Sequence, residues 1–211
     1  MNSQLWWYVA RSGGIVAWAL LAASVLWGLA LSTKVTNGKP KPNWILDLHR
    51  FLGGLALVFT GVHVGSLIVD SYVHFGLVEV LVPFTGTWHP AAVAWGVIGL
   101  YLLLAVELTS LARKRISKRL WRATHYASFP LFFLTTVHAL SAGTDRKTSA
   151  LLLMVAVAVA MVTVLAFVRL SKAQRGPQRS PVAALRAPSA RVDDNAAELV
   201  AARSGQQRSR L

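Results

Sequence analysis

Five times between residues 13 and 170 the chain runs through an apolar stretch long enough to cross roughly 30 Å of hydrocarbon. The stretches cover about 13–32, 44–69, 91–111, 120–141 and 148–170. Inside a bilayer each peptide group must find its hydrogen bond within the protein, and an open sheet cannot supply it, so each stretch is expected to be a helix. The expected fold is therefore an all-α integral membrane protein, a five-span helical bundle. A mean hydropathy of +0.50 excludes the alternative of a soluble domain around a single core.

Lys and Arg outnumber Asp and Glu by 22 to 8, which invites a nucleic-acid reading. The placement of the charges argues against it. Lys34, Lys39 and Lys41 lie between spans one and two; Arg113, Lys114, Arg115, Lys118 and Arg119 lie between spans three and four; Arg169, Lys172, Arg175 and Arg179 follow span five. The 70–90 connection carries no Lys or Arg, and the connection after span four is mixed, with Asp145, Arg146 and Lys147. Positive charge marks the cytoplasmic side, so the N-terminus is expected outside and the C-terminus inside, in the plasma membrane. Arg11 opposes this weakly.

Three segments are expected. Residues 1–12 lack the basic start of a signal peptide and hold Trp6, Trp7 and Tyr8 as interfacial anchors. Residues 13–170 form the membrane domain. Residues 171–211 form a basic, mostly disordered cytoplasmic tail, with a short helix conceivable at 196–203 and its first charges set against anionic lipid. The run Leu77–Phe84, too short to cross and holding Glu79 and Pro83, is expected to cover the outer helix ends.

Four of the six histidines lie inside apolar spans, where a titratable side chain is costly and needs a partner. His49 and His63 are 14 residues apart on span two, about 21 Å of helix rise. His125 and His138 are 13 apart on span four, about 19–20 Å. Spans two and four run in the same direction, so depth alone pairs His49 with His125 near the cytoplasmic face and His63 with His138 near the outer face. Facing imidazoles can ligate a haem iron from both sides. With no cysteine in the chain, iron–sulfur clusters and thioether-attached haem are excluded. Gly53, Gly54, Gly61 and Gly65 leave room for a flat ring, Trp121, Tyr126, Phe129, Phe132 and Phe133 offer an aromatic wall, and Arg50 and Arg122 are cations for haem propionates. The competing reading of each histidine is an interhelical hydrogen bond or a ring reaching for the interface.

The sequences HRFLGGLALVFTGVH and HYASFPLFFLTTVH, on like-directed helices with one helix between, resemble the haem helices of the ferric reductase transmembrane domain family, which includes NADPH oxidases, ferric reductases and a bacterial methionine sulfoxide reductase haem subunit. The resemblance covers about residues 44–170. It implies two stacked b-type haems, His49/His125 inner and His63/His138 outer, and electron flow outward from the cytoplasmic side. It also implies separate partners: a flavoprotein reductase or quinol as donor, with flavin or quinone supplied by that partner, and ferric iron, oxygen or a redox protein as acceptor. Larger members have six spans. Oxidases add a flavin and NADPH domain, whereas about forty residues follow span five here, without a glycine-rich nucleotide loop. The chain is thus expected to be an electron conduit with no catalytic residue of its own.

Thirteen residues turn a straight helix so that His138 would point about 140° away from His125. Pro130 lies between them and predicts a kink. Glu107 is expected to pair with Arg113, and Asp47 to sit in the first turn of its helix, facing the helix dipole. His74 and His89 are expected to be solvated loop residues. A histidine-based metal-ion or proton transporter is the alternative function; its helices should be more broken and its acidic residues more central.

Overall fold

A computed structural model describes residues 3–33, 42–70, 75–145 and 147–174, with no strand among them. The chain divides into Met1–Leu170 and Ser171–Leu211. Of the second unit only residues 171–174 are described, so the expected tail helix, His74, and the loop cations Lys34, Lys39, Lys41, Arg146, Arg175 and Arg179 lie outside the described residues.

Among the described residues seven α-helices follow in order: α1 (Ser3–Thr33), α2 (Pro42–Val69), α3 (Leu77–Leu81), α4 (Pro90–Leu111), α5 (Lys118–Tyr126), α6 (Ser128–Ala142) and α7 (Ser149–Gln174). Four of them supply segments long and apolar enough to cross a membrane: Gln4–Thr33, Asn43–Val69, Pro90–Lys114 and Ser149–Lys172. The chain is a multi-pass, all-helical membrane protein. The stretch expected as a single fourth span is instead two helices that meet at Ala127. The cause is Pro130. It has no N–H for the carbonyl of Tyr126 four residues earlier, and the Ala127 N–H turns back to Thr124 O at 3.0 Å. The break falls one turn before the proline, where the missing bond is felt.

The N-terminal anchor segment and the first span are one helix of 31 residues, about 46 Å long. Gly13 and Gly14 do not interrupt it, because they face α2 at close quarters. Local chemistry marks other boundaries. Pro90 opens α4, and the Ser117 hydroxyl caps α5 by accepting from Leu120 N at 3.2 Å. His89, the residue before α4, is left-handed at φ 42°.

Helices α1 and α2 run antiparallel along their length, and α6 packs between α4 and α1. Trp18, Leu21 and Val25 of α1 meet Leu131 and Phe132 of α6, Leu103 of α4, and Val155, Ala158 and Val162 of α7 in the buried core. One polar bond crosses it: Trp18 Nε1 donates to Thr136 Oγ1 at 3.0 Å, so neither polar group is left bare in an apolar layer. Outward faces stay apolar, with Phe133 65% and Phe167 70% exposed. A surface of that kind is a liability in water and the normal one in lipid.

The 70–90 connection folds back on the bundle. Phe75 and Val80 are buried, while Leu77, Val78, Leu81, Val82 and Phe84 are exposed. The Tyr101 hydroxyl donates to Leu81 O from a position eleven residues inside α4. The described part of the connection, 75–89, therefore reaches alongside α4 to the level of Tyr101.

Candidate functional site

The broken α5–α6 pair and the straight α2 bring the four histidines together as two pairs. The ring centres of His49 and His125 are 6.0 Å apart, and those of His63 and His138 are 6.3 Å apart. Both pairs of planes are near perpendicular, at 80° and 72°.

Three of the rings are anchored in the same way. Nδ1 of His49 lies 2.9 Å from Ser24 O, Nδ1 of His63 lies 2.7 Å from Ala10 O, and Nδ1 of His138 lies 2.8 Å from Ala92 O. A carbonyl only accepts, so in each bond Nδ1 carries the proton and Nε2 presents a lone pair. Imidazoles that ligate a metal are usually fixed by a bond of this kind on the other nitrogen. Ser24 Oγ adds a second contact to His49 Nδ1 at 3.1 Å.

The room for these rings comes from glycines on the neighbouring helices. A Cβ on Gly14 would lie 2.9 Å from His63 Nδ1, on Gly28 3.2 Å from His49 Cε1, and on Gly96 2.7 Å from His138 Cε1. The glycines singled out on α2 do other things. Gly53 receives the Glu107 carboxylate, and a Cβ on Gly54, Gly61 or Gly65 would meet nothing within 4 Å. Spacing on α2 could not reveal the notches in α1 and α4, since only the packing says which helix faces which ring.

A cavity of about 210 Å³ is lined by His63 and His138. Its wall takes in Thr60, Val64, Val97, Leu100, Glu79, Trp88 and Arg11. Arg11 makes a two-pronged ion pair with Asp145, one arm Nε to Oδ2 at 3.0 Å.

Other expectations need correction. Glu107 does not pair with Arg113; it rests against Gly53, while the Arg113 guanidinium lies 4.6 Å from the centre of the Trp121 ring. Asp47 is past the first turn, because α2 begins at Pro42, and it meets Arg50 at 3.6 Å. Arg50 and Arg122 are exposed at the His49 end. Of the aromatic wall, Trp121 stacks on His125, Phe132 stacks on Trp18, Tyr126 accepts from Arg169 at 3.2 Å, and Phe133 faces outward. His89 sits edge-on to Trp88 with ring centres 4.6 Å apart, remote in sequence from any histidine pair.

An imidazole nitrogen binds a first-row metal at about 2.0–2.1 Å and lies roughly 1.1 Å from its ring centre, so two rings flanking one metal atom have centres about 6.2–6.4 Å apart. The observed 6.3 Å falls in that range and the observed 6.0 Å just below it. Among the described residues no three His, Asp or Glu side chains converge. Two facing imidazoles at this spacing leave the in-plane ligands of a metal to be supplied from elsewhere, an arrangement compatible with haem. The class of protein is thus a multi-pass helical membrane protein carrying two histidine pairs, one toward each end of α2. The chain belongs to the family described as ferric reductase-like transmembrane component, whose profile matches residues 13–136, more than half of its length. No curated protein and no solved structure matches the chain.

Proposed function

We propose that the chain is a transmembrane electron-transfer protein, a b-type di-haem cytochrome, with one haem held by His49 and His125 and the other by His63 and His138. The observation that carries the proposal is the matched separation of the two ring pairs. Family membership supports transmembrane electron transfer as the general activity. Haem bound there would supply a one-electron carrier with both axial positions filled, which favours electron transfer over ligand binding.

The chain's own residues bind, orient and insulate. The Ser24, Ala10 and Ala92 carbonyls fix ring direction, and the glycine notches fix ring depth. Apolar helix faces keep water from the sites. Arg50 and Arg122 are the proposed cations for the carboxylates of the inner group. The α5–α6 pair is the proposed fourth of five crossings. Loop charge puts the His49 end at the cytoplasm, so electrons enter there from a flavoprotein or quinol and leave near His63 for ferric iron, oxygen or a redox protein.

The deciding experiment is an absorption spectrum of the purified protein, oxidised and then reduced with dithionite. Paired low-spin b-type bands are expected; a protein purified with haem available that shows no Soret band is not this cytochrome, and the metal or proton transporter becomes the better reading. Orientation has its own check. A C-terminal reporter should be active in the cytoplasm, and activity confined to the other side would reverse which haem is inner.

A further inference from the structure

The four rings are not held alike. Among the described residues, Nδ1 of His125 is buried with no hydrogen-bond partner, and no glycine presents a notch to its ring. A different contact holds it. The ring stacks on Trp121, four residues earlier on α5, with centres 5.0 Å apart and planes within 21°. That spacing places the two side chains on one face of the helix. Arg113, from the turn after α4, lies over the same Trp121 ring at 4.6 Å. Trp121 Nε1 is itself buried without a partner, so the indole contributes its face and not its N–H. His125 also sits at the end of a helix of nine residues, two positions before the break at Ala127.

We propose that Trp121, under Arg113, is the positioning residue for His125, and that the His49–His125 centre consequently has one fixed axial ligand and one exchangeable one. The inference rests on the haem reading above. The physics is the difference between the two kinds of anchor. A carbonyl on Nδ1 fixes the tautomer, restrains rotation of the ring and makes Nε2 a stronger donor. Face-to-face stacking fixes the plane and leaves the ring free to slide and turn within it. His49, bonded to Ser24 O and touched by Ser24 Oγ, is the most tightly held of the four. The two ligands of this centre are therefore opposites, and a competing ligand displaces His125 first. At the other centre both rings are carbonyl-bound and seated on glycine.

Carbon monoxide reads this directly, because it binds reduced haem iron only where an axial position opens. The test compares CO uptake by the reduced, haem-loaded full chain in the wild type, Trp121→Leu, Trp121→Phe and Arg113→Leu. Trp121→Leu is expected to keep both haems and bind CO at about half of them, at least tenfold faster than the wild type. Trp121→Phe keeps a stacking face and should behave as the wild type; if it matches Trp121→Leu, the indole acts through something other than its face and the proposal falls. Full haem content with unchanged CO uptake in Trp121→Leu also overturns it. Should Trp121→Leu fail to fold, Arg113→Leu decides: accelerated uptake at half of the haem supports the proposal, and wild-type uptake refutes it. Repeating Trp121→Leu in a His63→Ala background, where only the His49–His125 centre remains, should preserve the rapid uptake, and its loss there would place the effect at the wrong centre. Absence of haem from the wild type sinks the cytochrome assignment itself and is read separately, from the spectrum.

Discussion

His49→Ala and His125→Ala are each expected to halve the haem bound per chain, and to remove the same haem. His63→Ala and His138→Ala should each remove the other. The expectation rests on ring centres 6.0 and 6.3 Å apart, since removing either imidazole leaves a single axial donor where two were placed. Combining His49→Ala with His125→Ala should cost no more than either alone, whereas His49→Ala with His63→Ala should leave no haem. His89→Ala should keep both, because its ring contacts Trp88 and neither pair. His74→Ala, in the same connection, carries the same expectation. Haem-to-protein ratio by pyridine haemochrome measures all of these. Retention of two haems by the four variants of the paired histidines would end the assignment of these residues as ligands.

The second large effect is expected from a glycine outside the two histidine pairs. In Gly96→Val a Cβ would fall 2.7 Å from His138 Cε1 and 2.8 Å from Nδ1. The ring cannot swing aside without giving up its 2.8 Å bond to Ala92 O. Overpacking of this sort costs about 1–3 kcal/mol, comparable with the hydrogen bond it opposes. The variant should lose the His63–His138 haem or convert it to a high-spin form, leaving the other intact. The adjacent pair Gly13 and Gly14 gives an internal control. A Cβ on Gly14 would press on His63 Nδ1 at 2.9 Å, whereas one on Gly13 makes an ordinary contact at 3.5 Å. Gly14→Ala should shift the low-spin spectrum and Gly13→Ala should not. Equal spectra for Gly96→Val and the wild type would show that His138 is seated elsewhere.

Depth was legible in the sequence because helix rise is nearly invariant: fourteen and thirteen residues on like-directed helices fix two levels, whatever the surroundings. Orientation about the helix axis was not. A straight fourth span would have pointed His138 away from His125, and Pro130 announced the departure without giving its outcome. The structure resolves it by ending one helix at Tyr126 and starting the next at Ser128. Contacts between helices were the least legible. Nothing in the order of residues says that Gly28 faces His49 or that Gly96 faces His138, because a glycine in a membrane helix is common and silent until its neighbour is known. Charge misled in the same way. Glu107 and Arg113 are close in sequence and opposite in sign, yet Arg113 goes to an aromatic face and Glu107 to a glycine on α2.

The ion pair between Arg11 and Asp145 joins residues 134 positions apart. Contacts of such sequence separation are made late, because the entropy of closing the loop is spent before the contact returns anything. Both residues belong to the wall of the cavity around His63 and His138, and so does Leu151 of α7. The His49–His125 centre has all of its anchoring groups once the chain has reached His125. The lining around His63 and His138 takes in Asp145 and Leu151, beyond the end of α6. If the helices pack in the order in which they are made, the side chains that anchor His49 and His125 are all present before the last of those that line the cavity at His63 and His138.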